Sequence, residues 1–526
     1  MILNPGLRLL IATLLCLLAG ASSAAGTLTV CSEGSPDGFD IAQSESALTH
    51  DAAGMTLYDQ LLHYKRGTTE LVPGLAERWQ VSADGLQVTL WLRRGVKFHS
   101  TTWFKPTREM NADDVLFSIR RMAEPKTAWQ AAAKSGFGMW HSTGMADIVK
   151  GIERLDEHRV RLTLKQPNAP FLGMLASSFT ASVFSAEYGA QLLAAGKTEL
   201  MNTQPVGTGP FVLRSYQKDA VIRLAPHPGY WGGASTLDQL VFAITADPQV
   251  RIQRLKSGEC RVGANIQAQA AGAFDSGDVR LAGGTALLTG YIAINTRRGP
   301  LADLRLRQAL WLALDKRSLI QSVYAGRAEA AASFLPPSNW SFDASLRERF
   351  DPAQARALVK ASGYDGRELA IFTRVGGSID ARRAAELMQA DWARAGVKSR
   401  VQMIEWGEML KRTGQGEHDI TFLNWSGNGD PDDFFTSNLS CAAVPSGGNK
   451  SQWCHPAFDA LLDAARVSGD RAQRSALYAK AQRIVYDEVP IIPTVYPQYF
   501  TAVHRSVVGF VASPLTDLDF RGVSLR

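Results

Sequence analysis

Apolar and polar residues alternate along short segments in the first half of the chain, a pattern that predicts β-strands. Alternate positions of LQVTLWL (86–92) are apolar, and RVRLTLK (159–165) repeats the pattern. NADDVLFSIRRM (111–122) predicts a helix instead, because Asn111 can act as its N-cap, acidic residues follow in the first turn and arginines stand near the end. The first half is therefore predicted to combine strands with helices.

In the second half, helical spacing of apolar residues is combined with short strand patterns. LRLRQALWLALDKRSLI (304–320) keeps helical spacing through Leu314, and DARRAAELMQADWARAG (380–396) predicts a helix that Asp380 caps and Gly396 ends. Strands are predicted at residues 290–296, 399–404 and 419–424. This alternation predicts an α/β fold with mostly parallel sheets and right-handed crossovers.

The beginning of the chain has the layout of a cleaved secretory signal peptide. Arg8 precedes a leucine-rich run of about ten residues, and small residues continue to Ala25. Cys16 does not suit a lipidation site, because a leucine precedes it where a small residue is needed. No later segment approaches the roughly 18 apolar residues of a membrane helix. The mature chain is therefore predicted to be soluble and exported.

Length and composition limit the possible architectures and partners. About 500 mature residues exceed a single ordinary hydrophobic core, so two or more lobes are expected. Hydrophobic residues make up 45% and charged residues 20% of the chain, which is typical of a globular protein. The formal charge of +6 is small for 526 residues and forms no basic stripe, so nucleic acid is not an expected partner.

Four cysteines remain once Cys16 is assigned to the signal peptide. An even number in an exported chain indicates two disulfides. Cys441 and Cys454 flank a polar loop that a disulfide could close, which would leave Cys31 to pair with Cys260. The other two connectivities, and pairs that stay reduced, remain alternatives.

Motifs for catalysis, cofactor binding or metal binding are not found in the sequence. AAGKTEL (194–200) lacks the upstream glycine of a phosphate-binding loop, and no G-x-S-x-G, H-E-x-x-H or C-x-x-C motif occurs. The nine histidines include no pair at i, i+4 spacing, and His99 is interpreted as structural. No catalytic residue, metal or cofactor is therefore predicted, and an exported hydrolase is only a distant alternative.

The acidic segment NWSGNGDPDDFFTSNLSC (424–441) does not fit a calcium loop. Asp433 and Leu439 stand where an EF-hand loop requires glycine and glutamate. Asp430 and Asp432 are instead interpreted as turn-forming and helix-capping residues. The carboxylates of this segment are therefore predicted to be structural.

Eight landmarks in this sequence occur in the order found in one family of receptors. They are GTTELVPGLAERWQVSADG, LRRGVKFHS with NADDVLFS, PVGTGPF, YWGG, LRLRQALWLALDK, ARRAAELMQADWARAGV, EWGE, and NGDPDDFFTSNLSC with WC following. Together they resemble the periplasmic dipeptide-binding protein family, bacterial extracellular solute-binding protein family 5, over essentially the whole mature chain. The resemblance implies two lobes that close on a ligand around a two-segment hinge, and it implies the same cysteine pairing.

The resemblance also implies domain limits and a function. The fold would be a type II periplasmic-binding-protein fold of the cluster C type, with residues 1–25 as signal peptide, 26–289 as the first part of the large lobe, 290–495 as the second lobe and 496–526 as the return to the large lobe. The implied function is that of a monomeric periplasmic receptor that delivers di- and tripeptides, or peptide-like compounds, to an inner-membrane ABC permease. The alternative is a different cargo: a longer peptide, an opine-like conjugate, a peptide antibiotic or haem.

The ligand clamp of this family is altered in the sequence. Its amine-binding aspartate belongs to a W-T-G-D-N-G-D-P-D run, whereas here Gly427 is followed directly by Asn428 and that aspartate is missing. Arg374, in a shortened loop, is the candidate for the carboxylate-binding arginine. Glu45 lies near the expected pocket and is a candidate to replace the lost aspartate, although a solvated glutamate at the lobe edge is the favoured interpretation. The expected ligand-binding residues are Glu45, Ser46, Thr49, Arg374, Trp406, Trp425, Ser426, Gly427 and Asn428.

Overall fold

The computed structural model describes residues 26–526 except 134–135, 265, 267, 275–276, 376–379 and 446. The predicted signal peptide lies outside the described residues. The strands are β1 (Thr27–Ser32), β2 (Leu62–Tyr64), β3 (Leu71–Pro73), β4 (Ala76–Val81), β5 (Gln87–Leu92), β6 (Val149–Asp156), β7 (Arg159–Leu164), β8 (Phe211–Gln217), β9 (Val221–Pro226), β10 (Gln239–Ile244), β11 (Val262–Gly263), β12 (Val279–Thr285), β13 (Leu288–Ile294), β14 (Ala328–Ala330), β15 (Leu369–Arg374), β16 (Ser399–Ile404), β17 (Ile420–Ser426), β18 (Ile491–His504), β19 (Val507–Val508) and β20 (Ser524–Leu525).

The α-helices are α1 (Ala47–Thr49), α2 (Ala112–Ala123), α3 (Ala128–Ala132), α4 (Gly138–Ser142), α5 (Met145–Ile148), α6 (Phe171–Met174), α7 (Ser178–Ala181), α8 (Ala186–Ala194), α9 (Pro248–Lys256), α10 (Ala268–Ala271), α11 (Leu304–Ala313), α12 (Lys316–Tyr324), α13 (Pro352–Ala361), α14 (Ala381–Ala395), α15 (Trp406–Gly414), α16 (Pro431–Leu439), α17 (Pro456–Val467) and α18 (Arg471–Glu488). A π-helical turn, His50–Gly54, continues α1. Among the residues that the structure describes, no helix has the length and apolar character required to cross a membrane.

Local sequence signals place several of these elements correctly. The two alternating segments form β5 and β7, which pair with each other in an antiparallel ladder. Asn111 caps α2 by accepting a hydrogen bond from the Asp113 N–H, while the Asp114 carboxylate accepts one from the Asn111 N–H. The α14 helix begins after Asp380 and ends at Gly396, whose φ of 94° suits glycine. These predictions are confirmed.

The predicted helix is present as α11, but it ends just before Leu314. Helix α11 ends at Ala313, and Leu314 is extended with φ −78° and ψ 112°. Asp315 then accepts a hydrogen bond from the Arg317 N–H at 3.0 Å and starts α12. An aspartate that caps a new helix thus interrupts a continuous apolar pattern.

The large sheet is mixed, which corrects the prediction of mostly parallel sheets. Parallel pairing joins β1 to β10 and β11 and joins β15 to β16 and β17. The β13 strand is antiparallel to both β17 and β18. Strand β18 runs from the second lobe into the large lobe and is antiparallel to its neighbours in both.

Separate hydrophobic cores divide the molecule into two lobes. One core is built from residues between Leu28 and Ala264 and includes residues 503–525. Two further clusters lie within residues 291–495. Strand β18 crosses from one lobe to the other, because Pro497 pairs with β14 and Gln498 pairs with β12. The predicted limits after residues 289 and 495 lie next to this crossing and stay a prediction.

Both favoured disulfides are formed. Cys31 and Cys260 are joined at an S–S distance of 2.01 Å, and Cys441 and Cys454 at 2.10 Å. The first pair is fully buried between the end of β1 and the segment before β11. Each lobe therefore holds one covalent link, and the predicted pairing is confirmed.

Candidate functional site

The second lobe presents its candidate site at the carboxyl ends of three strands. Strands β15, β16 and β17 are parallel neighbours, so Arg374, Trp406 and Trp425 stand at the same edge of the sheet. In open α/β sheets this edge is the usual location of ligand-binding crevices. The local order of strands therefore brings together residues that are far apart in the sequence.

Two of the three aspartates in the loop after β17 are structural. Asp430 caps α16 by accepting a hydrogen bond from the Asp432 N–H at 3.0 Å. Arg474 contacts the Asp430 carboxylate at 2.7 Å, and Arg466 contacts the Asp432 carboxylate at 3.0 Å. The predicted capping role is confirmed for Asp430, whereas Asp432 lies inside the helix and is held by its ion pair with Arg466.

Asp433 is different, because neutral groups hold its carboxylate. Its Oδ2 atom accepts hydrogen bonds from Trp425 Nε1 and from the Asn428 N–H, both at 3.2 Å. Burial raises the pKa of Asp433 to about 7, although these two hydrogen bonds act in the opposite direction. The prediction that all carboxylates of this segment are structural therefore misses one that lines the interlobe space.

The large lobe touches this loop through Tyr64. The Tyr64 hydroxyl donates a hydrogen bond of 2.6 Å to the carbonyl oxygen of Asn428. On the hinge side, the Gly427 N–H donates to the carbonyl oxygen of Leu287 at 2.9 Å. Residues 427–428 are thus held by both the large lobe and the hinge.

A cavity of about 500 Å³ lies between the lobes at this contact. This volume is within the usual range for small-molecule sites, about 300–1,000 Å³. The large lobe contributes Glu45, His50, Asp51, Met55, Gln60, His63, Tyr64, Arg66, Met139, Phe179, Asp517, Asp519 and Arg521, and the second lobe contributes Trp425, Ser426, Gly427, Asn428, Asp433 and Ser437. Both lobes therefore form the walls.

The predicted ligand-binding residues divide into three groups. Glu45 and residues 425–428 line the cavity. Ser46 caps α1 by accepting from the Leu48 N–H, and the buried Thr49 accepts from the Asp37 N–H at 3.0 Å. These two residues have local structural roles and do not belong to the described cavity wall.

Arg374 and Trp406 form the third group. The guanidinium carbon of Arg374 lies 4.7 Å from the centre of the Trp406 ring, a cation–π arrangement. Neither residue is part of the described wall of the 500 Å³ cavity. The loop after Arg374, residues 376–379, lies outside the described residues. The ligand role of this pair stays a prediction.

Several charged residues of the large lobe that line the cavity form ion pairs with each other. Arg66 and Arg521 both contact the carboxylate of Asp519, at 3.4 and 2.8 Å. His50 lies 3.7 Å from Asp517. Burial lowers the pKa of His50, but hydrogen bonding and attraction to Asp517 raise it above its usual value overall.

A second interlobe cleft, of about 680 Å³, lies on the other side of Tyr64. Its wall includes Arg466 and Arg474, and these guanidiniums are engaged with Asp432 and Asp430. The 500 Å³ cavity differs in that its wall includes Asp433, whose hydrogen-bond donors are neutral.

Sequence reasoning missed three features of the site, namely Tyr64, Asp433 and the group formed by Arg66, Asp519 and Arg521. The C-terminal residues 517–521 return to the large lobe and have no sequence pattern that links them to the cleft. Asp433 stands in a recognised segment, but its role depends on which carboxylates receive arginine partners, and those arginines come from α17 and α18.

Two lobes that are joined through β18 and share a cavity are typical of solute-binding proteins with the type II fold. Comparison with known proteins identifies the family. Residues 70–446 match the model of bacterial extracellular solute-binding proteins, family 5, and the chain belongs to this family.

Relatives and solved structures resemble the whole chain. The di/tripeptide-binding protein 4 of Pseudomonas aeruginosa is 46% identical over 533 residues, with 100% of both chains covered. The structure of HbpA2 from Haemophilus parasuis has a TM-score of 0.89 and 36% identity, covering 95% of this chain and 100% of the other. A dipeptide-binding protein from Pseudoalteromonas sp. SM9913, in complex with Met-Leu, has a TM-score of 0.82 and 34% identity. The match covers 95% of this chain and 100% of the other.

Proposed function

We propose that this protein is the periplasmic substrate-binding receptor of an ABC transporter, which captures di- or tripeptides or peptide-like compounds and delivers them to an inner-membrane permease. The observation that carries the proposal is the 500 Å³ cavity, whose walls come from both lobes. The names of the relatives, di/tripeptide-binding and dipeptide-binding protein, support a peptide as the ligand. The receptor acts as a monomer and needs no cofactor or catalytic group.

The polar groups of the cavity suit a short zwitterion. Two guanidiniums, of Arg66 and Arg521, lie at the carboxylate of Asp519 in the large-lobe wall, where they can also attract the carboxylate of a ligand. Across the cavity, the second lobe presents Asp433 and the backbone of residues 426–428. A buried peptide loses its hydrogen bonds to water and must recover them from such groups.

Aromatic and flexible apolar side chains form the rest of the wall. Trp425, Phe179, Met55 and Met139 all line the cavity. Methionine side chains adapt to irregular shapes, and aromatic faces contact varied groups without being specific for any of them. We therefore propose that the backbone and the charged ends of the ligand are recognised, whereas its side chains are tolerated.

A ligand screen tests this function. Thermal unfolding of the mature protein is measured with di-, tri- and tetrapeptides, opines and haem, with free amino acids as the control. Di- or tripeptides are expected to stabilise the protein by about 2.7 kcal/mol at a hundredfold excess over Kd. Stabilisation by haem or opines alone would replace the peptide proposal with one of the alternative cargoes.

Replacing Tyr64 with phenylalanine is expected to weaken peptide binding about fivefold. The variant loses the hydrogen bond to the Asn428 carbonyl that joins the lobes, and such a bond contributes about 1 kcal/mol. Isothermal titration calorimetry measures the change.

The matched control is Tyr486→Phe. Its hydroxyl donates to the Arg347 carbonyl at 2.9 Å within the second lobe, away from the cavity. This variant is expected to keep the affinity of the wild type. Equal affinities for all three proteins would show that the Tyr64 contact does not contribute to closure.

A further inference from the structure

We propose that Asp433 holds the ammonium group of the bound ligand, in place of the aspartate that the family run has and this chain lacks. The inference rests on the proposed function, since it assumes a peptide with a free amino group. It also replaces Glu45, which is the candidate for this role from the sequence alone.

One oxygen of the Asp433 carboxylate is held in place while the other is available. Oδ2 accepts from Trp425 Nε1 and the Asn428 N–H, which fixes the orientation of the group. Oδ1 has only a long contact of 3.5 Å with the Ser437 hydroxyl. A carboxylate oxygen has two acceptor positions, so Oδ1 can accept at least one further hydrogen bond from a ligand in the cavity.

The charge of Asp433 has no basic partner among the described residues. Asp430 and Asp432, its neighbours on α16, are each paired with an arginine. The groups that hold Asp433 are an indole, a backbone amide and a hydroxyl, all neutral. A buried carboxylate without a cation is costly unless a charge is supplied to it, and a ligand ammonium supplies that charge.

The other carboxylates of the cavity are less suitable. Asp517 lies beside His50, and Asp519 beside Arg66 and Arg521. Asp51 adjoins His50 in the chain and accepts a hydrogen bond from the Leu518 N–H at 3.0 Å.

Glu45 is exposed, and its carboxylate lies against Gly138, where a Cβ atom would come within 1.8 Å of Oε1. Water can solvate an exposed carboxylate, so its pairing with a ligand cation gains little. Asp433 thus combines burial, a fixed orientation and an oxygen that has a remaining acceptor position.

Titration calorimetry with two compounds tests the inference: the dipeptide Met-Leu and its N-acetyl form, which has no ammonium group. Asp433→Asn keeps an acceptor oxygen for Trp425 and Asn428 but removes the charge. We expect the variant to bind Met-Leu at least tenfold more weakly than the wild type does. Both proteins are expected to bind the N-acetyl form with the same low affinity.

Two further variants complete the design. Asp487→Asn, at a carboxylate that is 57% exposed and lies outside the cavity, is the matched control and should bind like the wild type. Glu45→Gln tests the competing assignment. An amine-specific loss in Glu45→Gln, with Asp433→Asn unchanged, would overturn the inference.

The outcomes separate this inference from the proposed function. If the wild type and Asp433→Asn bind Met-Leu equally tightly, the assignment of Asp433 is overturned. The proposed receptor function then stays intact. An equal loss for both compounds also overturns it, because the effect would then not depend on the ammonium group. Wild-type protein that binds no peptide overturns the proposed function, and the inference falls with it.

Discussion

Replacing Asp40 with alanine is expected to lower the free energy of unfolding by about 3–5 kcal/mol. The Asp40 carboxylate contacts the Arg121 guanidinium through two hydrogen bonds of 2.9 and 2.5 Å, and both side chains are fully buried. The variant would leave the Arg121 charge in the large-lobe core without a counter-ion. The Phe184 ring, 3.8 Å from the guanidinium carbon, compensates only a small part of this charge.

Urea unfolding followed by circular dichroism measures the loss. The matched control is Asp156→Ala, which removes an exposed ion pair with Arg159 and is expected to change stability little. The double variant Asp40→Leu, Arg121→Met should lose less than Asp40→Ala, because no buried charge remains. If Asp40→Ala and Asp156→Ala are equally stable, the buried pair does not stabilise the lobe.

Replacing Gly427 with alanine is expected to weaken peptide binding about thirtyfold and to destabilise the second lobe. A Cβ atom at this position would lie 2.1 Å from a ring carbon of Phe434, which is fully buried and cannot move aside. Overpacking of this kind costs about 1–3 kcal/mol. The displaced backbone would also break the hydrogen bonds that Asn428 makes with Tyr64 and Asp433. Two such bonds contribute about 2 kcal/mol, which is about thirtyfold in affinity.

Calorimetry and thermal unfolding separate the two effects of Gly427→Ala. The control is Gly469→Ala, since a Cβ there meets nothing within 4 Å. Gly469→Ala is expected to keep both affinity and stability. Wild-type affinity in Gly427→Ala would show that the position of the 426–428 backbone does not determine binding.

The sequence predicts a structural element well when neighbouring residues determine where that element begins and ends. The capping of α2 by Asn111 and the end of α14 at Gly396 depend on residues within a few positions of each other, so the sequence contains the whole cause. The end of α11 just before Leu314 also has a local cause, because Asp315 caps the next helix and competes with the apolar pattern. The direction of strand pairing is not local. It follows from the path of β18 through both lobes.

The sequence by itself indicated the family and, through it, the two-lobed fold and the cysteine pairing, because the family motifs occur in order along the chain. Only the tertiary structure decided which charged groups are free. Asp430, Asp432 and Asp433 are nearly adjacent, yet arginines from α17 and α18 neutralise the first two and leave the third facing the cavity. The physical reason is that the charge available to a ligand depends on partners brought close by folding, and those partners are distant in the chain.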